Sequence, residues 1–238
     1  MLVDLSTVKG AVAVIAAAGA GTRMGADKPK QYLPLAGKTV LEITVEKFLG
    51  FEGIECVVLI VPPNDQDCYQ LPVAEKENVY VIDGGERRTD SVLNGLMFLY
   101  DAGLPDDVAV LVHDAARPCV SKSDLQKLID TFRKSKQPCL LAAPVVDTLQ
   151  EVNAKGDVKR VVDRDKLVRA FTPQVARFID LKTALIKARD EGVPVTDEVS
   201  ALTSAGHKVK AVIGQSNNIK ITHPEDLPLA EYYLKQEK

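Results

Sequence analysis

The sequence is poor in the residues that mark several common kinds of site. It has no tryptophan and only 5% aromatic residues, so it offers no stacking surface for single-stranded nucleic acid. The four cysteines form no CxxC pair and the three histidines are scattered. This pattern argues against a structural zinc site and against a disulfide framework. We therefore expect a protein of a reducing, cytoplasmic compartment.

Neither the charge nor the hydropathy points to a polymer or a membrane as partner. Thirty Lys and Arg residues stand against 33 Asp and Glu residues, a formal net charge of −3, so we expect no nucleic-acid partner. The longest apolar run near the start, residues 11–18, is far shorter than the ~20 residues of a membrane-spanning helix. The first ten residues include an acid and no long apolar stretch, so we expect no signal peptide.

Short apolar segments alternate with amphipathic segments along the chain. Five apolar runs, most of them rich in Val and Ile, are typical of strands buried on both faces; they are residues 11–18, 56–61, 79–82, 108–113 and 139–145. The first predicted helix begins at Thr39, has Glu42 at capping-box spacing and ends at Gly50. Further helices are predicted at about 89–102 and from Ser121. The alternation predicts an α/β fold, a Rossmann-like, mostly parallel sheet with helices on both faces.

The segment 147–164 interrupts this alternation. It has the pattern of two short polar strands around a turn at 154–157, with little apolar surface. Because a lone hairpin is marginal in water, it must lie on the parent domain or on another subunit. We expect one domain over residues 1–238, with a β-arm excursion at about 145–168.

The candidate site lies at the carboxyl ends of the strands, where open α/β sheets bind ligands. A glycine-rich loop, residues 19–30, follows the first strand and can turn backbone N–H groups toward an anion. Residues 22–38 hold four cations and one acid, which suits a polyphosphate, although solvated lysines are the alternative. Two known phosphate motifs are excluded, because Met24 and Tyr32 occupy positions where the dinucleotide fingerprint and the P-loop need glycine.

Two further loops add candidates. Asp114 directly follows the fourth predicted strand and is well placed for Mg²⁺ that bridges phosphates, unless it only pairs with Arg117 or caps a turn. Gly84 and Gly85 precede a helix start and could let the backbone approach a ligand, although a simple loop explains them as well. His113 is expected to be structural, because neighbours along a strand face opposite sides.

A series of motifs over nearly the whole chain resembles one family. The glycine loop resembles that of nucleotidyltransferases that activate sugars and polyols. More specific are VHDAARPC, PVVDTLQEV, VVDRDKL, FTPQ, TDEVSAL and NIKITHPEDLPLAEYYL. In this order they resemble the 2-C-methyl-D-erythritol 4-phosphate cytidylyltransferase family. The resemblance implies Mg²⁺-dependent transfer of CMP from CTP to methylerythritol phosphate, with release of pyrophosphate, in the non-mevalonate isoprenoid pathway.

The resemblance also implies roles for single residues. Arg23, Lys30 and Lys220 match cations that hold the phosphates and stabilise the transition state, and Asp114 matches the acid near the metal. The positions that match the family's cytidine pocket are Ala17, Ala18, Gly19, Gly21, Gly85, Glu86, Ser91 and Ala115. The positions that match its acceptor pocket are Arg117, Thr148, Arg164, Thr172 and Thr196.

In the resembled family the hairpin is an arm exchanged between two subunits. The resemblance therefore implies a homodimer in which Thr148 and Arg164 reach the neighbour's acceptor site. From the residues alone, Arg164 is a solvated hairpin charge. Two alternatives stay open: a cytidylyltransferase for another polyol phosphate such as ribitol 5-phosphate, and a non-catalytic nucleotide-binding module. VHDAARPC favours the methylerythritol enzyme, and the presence of the loop cations and Asp114 disfavours the binding module.

Overall fold

The computed structural model describes residues 3–19, 24–25 and 28–237. Its strands are β1 (Ala11–Ala16), β2 (Pro34–Leu35), β3 (Lys38–Thr39), β4 (Ile54–Val61), β5 (Val79–Asp83), β6 (Ala109–Asp114), β7 (Cys139–Pro144), β8 (Leu149–Val152), β9 (Val158–Val162), β10 (Val168–Arg177) and β11 (Lys210–Ile213). Its α-helices are α1 (Val40–Leu49), α2 (Gln66–Tyr69), α3 (Arg88–Asp101), α4 (Lys122–Ser135), α5 (Phe178–Asp190), α6 (Glu198–Ser204) and α7 (Asp226–Gln236). Short 3-10 turns lie at Lys30–Tyr32, Pro72–Glu75 and Arg164–Lys166.

A seven-stranded sheet forms the centre, in the order β11-β7-β10-β6-β1-β4-β5. Strand β10 is antiparallel to both of its neighbours, and the other pairs are parallel. The mostly parallel α/β sheet is confirmed. The prediction did not include β10 or the edge strand β11, because neither carries a continuous apolar run.

Helices cover both faces of the sheet, as expected. Alternate residues of β1 point to opposite faces: Ala13 and Ile15 pack with α1 and α4, whereas Val12 and Val14 pack with α3 and α5. Both layers are built from fully buried aliphatic side chains, and each such side chain stabilises the fold by roughly 1.5–3 kcal/mol relative to exposure. Two cores of this kind hold the strand ends rigidly, which the site requires.

The helix ends follow their local sequence. Thr39 and Glu42 form the predicted capping box at the start of α1. Ser121 caps α4 by accepting a hydrogen bond from the Asp124 N–H, but the Asp124 carboxylate accepts from the Gln215 N–H at 3.0 Å instead of completing a box. A tertiary contact therefore replaces the local one at this helix start.

The predicted hairpin is present as a separate two-stranded sheet of β8 and β9. Leu149 pairs with Val162 and Glu151 with Arg160. Val152, Val158 and Val161 are each more than half exposed in the single chain. The hairpin thus presents apolar side chains to its surroundings.

Across the ranges that the structure describes, no helix has both the length and the apolar character needed to cross a membrane.

Candidate active site

A cavity of about 410 Å³ opens at the carboxyl ends of β1, β5 and β6, where the sequence places the ligand. Its volume is in the range typical of small-molecule sites, about 300–1,000 Å³. Strands β1 and β6 are parallel neighbours with Ala16 opposite Asp114, so their following loops open side by side. The lining residues are Ala16, Ala17, Ala18, Gly19, Lys30, Gln31, Gly85, Glu86, Arg87, Arg88, Ser91, Asp114, Ala115, Ala116, Lys220 and Thr222.

Most of the predicted nucleotide and phosphate residues meet in this cavity, and the predicted acceptor residues do not. The predicted residues that line it are Ala17, Ala18, Gly19, Lys30, Gly85, Glu86, Ser91, Asp114, Ala115 and Lys220. Gly21 and Arg23 lie outside the described residues. Arg117 is half-buried and Thr172 is buried, whereas Thr148, Arg164 and Thr196 are exposed, and none of these five residues lines the cavity.

The loop after β5 is closely packed against β1 and α3. A Cβ atom on Gly84 would lie 2.6 Å from the Ala18 Cβ, so only glycine fits there. The Ser91 hydroxyl accepts a hydrogen bond from the Gly85 N–H at 3.0 Å and donates one to the Arg87 carbonyl. The backbone of this loop is thereby fixed against the cavity, as direct backbone contact with a ligand requires.

Lys30 is carried by a turn that is anchored on both sides. The Gln31 side-chain amide donates to the Ala17 carbonyl at 2.8 Å, and the Tyr32 hydroxyl donates to Asp65. The Lys30 ammonium donates to the Ile221 carbonyl at 2.8 Å, which links this turn to the segment that carries Lys220. Two predicted cations from distant parts of the chain therefore share one wall of the cavity.

Asp114 is the centre of a cluster of charges. Its Oδ2 accepts from the Lys220 Nζ at 2.7 Å, and its Oδ1 accepts from the Arg88 Nε at 2.8 Å. Burial by itself raises the pKa of Asp114, but the charges of Arg88 and Lys220 outweigh burial and hold it well below its usual range. Asp114 is therefore ionised throughout the working pH range.

Arg88 and Glu198 are functional candidates that the sequence analysis missed. Arg88 bridges Asp114 to the Glu198 carboxylate, which lies 2.8 Å from the Arg88 Nη1 and is 1% exposed. The only signals available were that Arg88 follows the Gly84-Gly85 pair and that Glu198 lies in the TDEVSAL motif. No sequence spacing relates two residues that are 110 positions apart.

His113 is structural, as expected. The Arg117 carbonyl can only accept, so the His113 Nε2 donates to it at 3.0 Å. His113 Nδ1 then accepts from the Thr172 hydroxyl at 3.0 Å, and that hydroxyl accepts from the Asp114 N–H at 3.1 Å. Burial lowers the pKa of His113 to about 4. The buried neutral imidazole thus holds the Thr172 hydroxyl, which in turn bonds to the backbone N–H of Asp114.

Arg117 fixes the segment that carries Lys220. Its Nη1 donates to the Asn218 carbonyl at 2.7 Å, and the Asn218 amide donates to the Thr172 carbonyl at 2.8 Å. The Arg117 Nε lies 3.8 Å from Asp114, farther than the nitrogens of Arg88 and Lys220. Asp114 therefore pairs with Arg88 and Lys220 more closely than with Arg117.

The donor set around Asp114 decides what metal could bind. The ranges in the structure contain no group of three or more His, Cys, Asp or Glu side chains that could hold a metal ion. Mg²⁺ in phosphate-transfer sites is commonly held by one or two carboxylates plus substrate phosphates and water. One carboxylate in a cavity of small-molecule size fits a Mg²⁺ that arrives with a nucleotide, rather than a preformed protein cage.

Comparison with known proteins identifies one family along nearly the whole chain. The profile of the family described as 2-C-methyl-D-erythritol 4-phosphate cytidylyltransferase matches residues 11–236. A protein of that name from Vibrio parahaemolyticus is 47% identical over 227 residues, which cover 95% of this chain and 96% of that protein. Another from Photobacterium profundum is 43% identical over 228 residues and covers 94% and 96% of the two chains.

Solved structures are similar over the same length. The cytidylyltransferase of Francisella tularensis superposes with a TM-score of 0.82 at 33% identity, covering 94% of this chain and 100% of that one. The cytidylyltransferase of Thermus thermophilus gives 0.78 at 30% identity, covering 95% and 100%. Sequence and fold agree, and the chain belongs to the 2-C-methyl-D-erythritol 4-phosphate cytidylyltransferase family.

Proposed function

We propose that the chain transfers CMP from CTP to 2-C-methyl-D-erythritol 4-phosphate, as a homodimer that uses Mg²⁺. The observation that carries this proposal is the meeting of Lys30, Lys220 and Asp114 in one cavity at the carboxyl ends of β1 and β6. The family match supports this acceptor over ribitol 5-phosphate. The products are 4-diphosphocytidyl-2-C-methyl-D-erythritol and pyrophosphate.

The reaction is an in-line displacement at the α-phosphorus of CTP. An oxygen of the acceptor's phosphate forms the new P–O bond, and the bond to the β-phosphate oxygen breaks, so that pyrophosphate leaves. The attacking oxygen is already ionised, so no protein base has to remove a proton. The barrier comes from repulsion between anions and from charge that builds up on the phosphates, and cations held in place lower it.

Different cavity residues bind the phosphates and the cytidine of CTP. Lys30 and Lys220 stabilise the charge at the α-phosphate, and we assign Arg23 the same role from the family resemblance. We assign the cytidine pocket to the lining residues Ala17, Ala18, Gly19, Gly85, Glu86, Ser91 and Ala115, and we add Gly21 from the family resemblance alone. A pyrimidine is recognised there mainly by backbone groups, which is why the fixed loop around Gly85 matters.

Asp114 is the residue that would hold Mg²⁺ together with the triphosphate. When bound, the ion neutralises phosphate charge and orients the leaving pyrophosphate. The Asp114 carboxylate is ionised and buried, and each of its oxygens already bonds to one cation. Since a carboxylate oxygen has more than one lone pair, it can bond to a metal without releasing Arg88.

The acceptor site is completed by a second copy of the chain. Thr148 and Arg164 lie on the exposed hairpin, while Arg117, Thr172 and Thr196 belong to the main body. The exposed valines of β8 and β9 offer the hairpin an apolar surface for a partner. We propose that the arm, at about 145–168, extends from a single catalytic domain into the neighbour's acceptor site.

The partners in this proposal are CTP, the acceptor and the second copy of the chain. We propose the cytoplasm as the compartment, because all four cysteines are buried and unpaired.

Pyrophosphate release by the purified protein tests the substrate assignment. The protein is supplied with Mg²⁺ and CTP, and with methylerythritol phosphate or ribitol 5-phosphate; UTP and ATP serve as nucleotide controls. We expect release only with CTP and methylerythritol phosphate. Release with ribitol 5-phosphate would overturn the acceptor assignment, and CTP binding without release from any pair would make the chain a nucleotide-binding module.

A further inference from the structure

Glu198 is held rigidly at the start of α6. Asp197 caps that helix by accepting from the Ser200 N–H at 2.9 Å. Gln174 of β10 clamps the same turn: its amide donates to Asp197 at 2.9 Å and its carbonyl accepts from the Val199 N–H at 2.8 Å. Glu198 itself is 1% exposed. The position of its carboxylate is therefore fixed by the contacts of α6 with β10, out of contact with solvent.

Arg88 joins this fixed carboxylate to the cavity. Its Nη1 and Nη2 donate to the two Glu198 oxygens at 2.8 and 3.2 Å, and its Nε donates to Asp114 at 2.8 Å. A planar guanidinium can make all three bonds at once, whereas a lysine ammonium is a point charge on a flexible stem. Arg88 therefore transmits the position of Glu198 to Asp114.

Asp114 in turn sets the place of Lys220. The bond from Arg88 to Oδ1 restricts rotation of the carboxylate and so favours one direction for Oδ2. Oδ2 lies 2.7 Å from the Lys220 ammonium, which is at the cavity wall. The place of Lys220 thus depends on the Glu198 carboxylate, which bonds to Arg88 and not to Lys220.

We propose that Arg88 and Glu198 are a positioning pair for the transfer reaction: they orient Asp114 so that it places Lys220 toward the α-phosphate. This inference rests on the proposed function, since it assumes that Lys220 acts on that phosphate. Glu198 acts through Arg88 and Asp114, and need not contact a substrate. Misplacement of a catalytic group by about 1 Å can cost as much as 10²-fold in rate, so the loss of such a pair should be measurable in turnover.

A double-mutant cycle on turnover tests this pair. The variants are Glu198→Gln, Lys220→Ala and their combination, assayed by pyrophosphate release from CTP and methylerythritol phosphate. We expect Glu198→Gln to lower kcat about 10- to 100-fold while KM for CTP changes less than about threefold. In the Lys220→Ala background the same change should have little further effect, because the group that it positions is gone.

A matched control separates positioning from the general loss of a helix-start ion pair. Asp180 lies in the first turn of α5 and pairs with Arg177 at 2.7 Å, outside the cavity. We expect Asp180→Asn to leave kcat unchanged in both backgrounds. Arg88→Lys is the second test variant in case Glu198→Gln does not fold: it keeps the charge but loses the fork, and it should reproduce the fall in kcat.

Each outcome is decisive. The proposal is overturned if folded Glu198→Gln or Arg88→Lys keeps kcat within about twofold of the unsubstituted protein. It is also overturned if kcat of the double variant falls by the product of the two single-variant losses. Independent effects add as free energies, so such a product would mean that Glu198 and Lys220 act independently. An unsubstituted protein that releases no pyrophosphate would overturn the proposed function itself, and that result is visible before any variant is compared.

Discussion

At the scale of single residues, the groups that face the cavity depend on groups that do not. Asp114 could be predicted because it ends a buried strand in a recognisable motif. Its supports could not, since Thr172 and Glu198 come from elements 58 and 84 residues downstream in the chain. Thr172 was assigned to the acceptor pocket by the family resemblance alone, and its hydroxyl bonds to His113 and to the Asp114 N–H.

His113 gives the protein a defined pH dependence of stability. Its pKa is about 4 in the folded state and 6.5 when exposed, so below pH 6.5 the unfolded chain takes up a proton that the folded chain does not. The free energy of unfolding should therefore fall as the pH drops from 7 to 4, by about 3 kcal/mol from this group. Urea unfolding across that range, compared between the natural protein and His113→Gln, measures the contribution.

Glutamine at 113 can still donate to the Arg117 carbonyl and accept from Thr172, but it does not titrate. We expect the variant to lack the part of the pH dependence that His113 causes. His223→Gln is the matched control, since His223 is exposed. An equal loss of stability in His113→Gln and the natural protein would mean that His113 is not buried in its neutral form.

At the scale of elements, the sequence predicts those whose apolar pattern is continuous. The five predicted strands are present because their apolar runs are local, and the hairpin is present as two alternating strands around its predicted turn. Strand β10 was missed because Thr172, Pro173 and Gln174 interrupt its apolar run. These polar groups are buried only because His113 and α6 supply their hydrogen bonds, which are contacts that no local pattern contains.

The junction after β11 anchors the segment that leads to Lys220. A Cβ on Gly214 would lie 2.9 Å from the Asp124 carboxylate, which accepts from the Gln215 N–H. Gly214→Ala must displace that carboxylate, and we expect it to lower the free energy of unfolding by about 1–3 kcal/mol and to reduce kcat. Chemical denaturation and the pyrophosphate assay measure both effects.

Asp124→Ala removes the obstructing carboxylate and provides the control. It leaves the Gln215 N–H without its partner and is itself destabilising, but it opens the space that a methyl group at 214 needs. Gly214→Ala should therefore cost less in the Asp124→Ala background than alone. Equal costs in the two backgrounds would show that the close packing against Asp124 is not the reason for glycine at 214.

At the scale of the whole molecule, the residues assigned to the acceptor divide between two places. Arg117 and Thr172 lie beside the cavity, whereas Thr148 and Arg164 lie on the exposed hairpin. The sequence alone cannot tell a solvated hairpin from an exchanged arm, because both have the same polar alternation. If the arm reaches the neighbouring subunit's site, each active site needs residues from two chains.

Complementation between two defective chains tests this composite site most directly. Lys30→Ala impairs the cavity, and Arg164→Met impairs the arm; we expect each alone to lose most of its pyrophosphate release. Lys166→Met, in the same 3-10 turn as Arg164, is the control and should stay active.

The decisive measurement is pyrophosphate release after Lys30→Ala and Arg164→Met chains are unfolded together in equal amounts and refolded. Half of the dimers should be mixed, each with one intact site, so activity should recover to about one quarter of the natural level. Activity that stays at the level of the separate variants would contradict a site shared between two chains. Full activity of Lys30→Ala alone would contradict the role of the cavity itself.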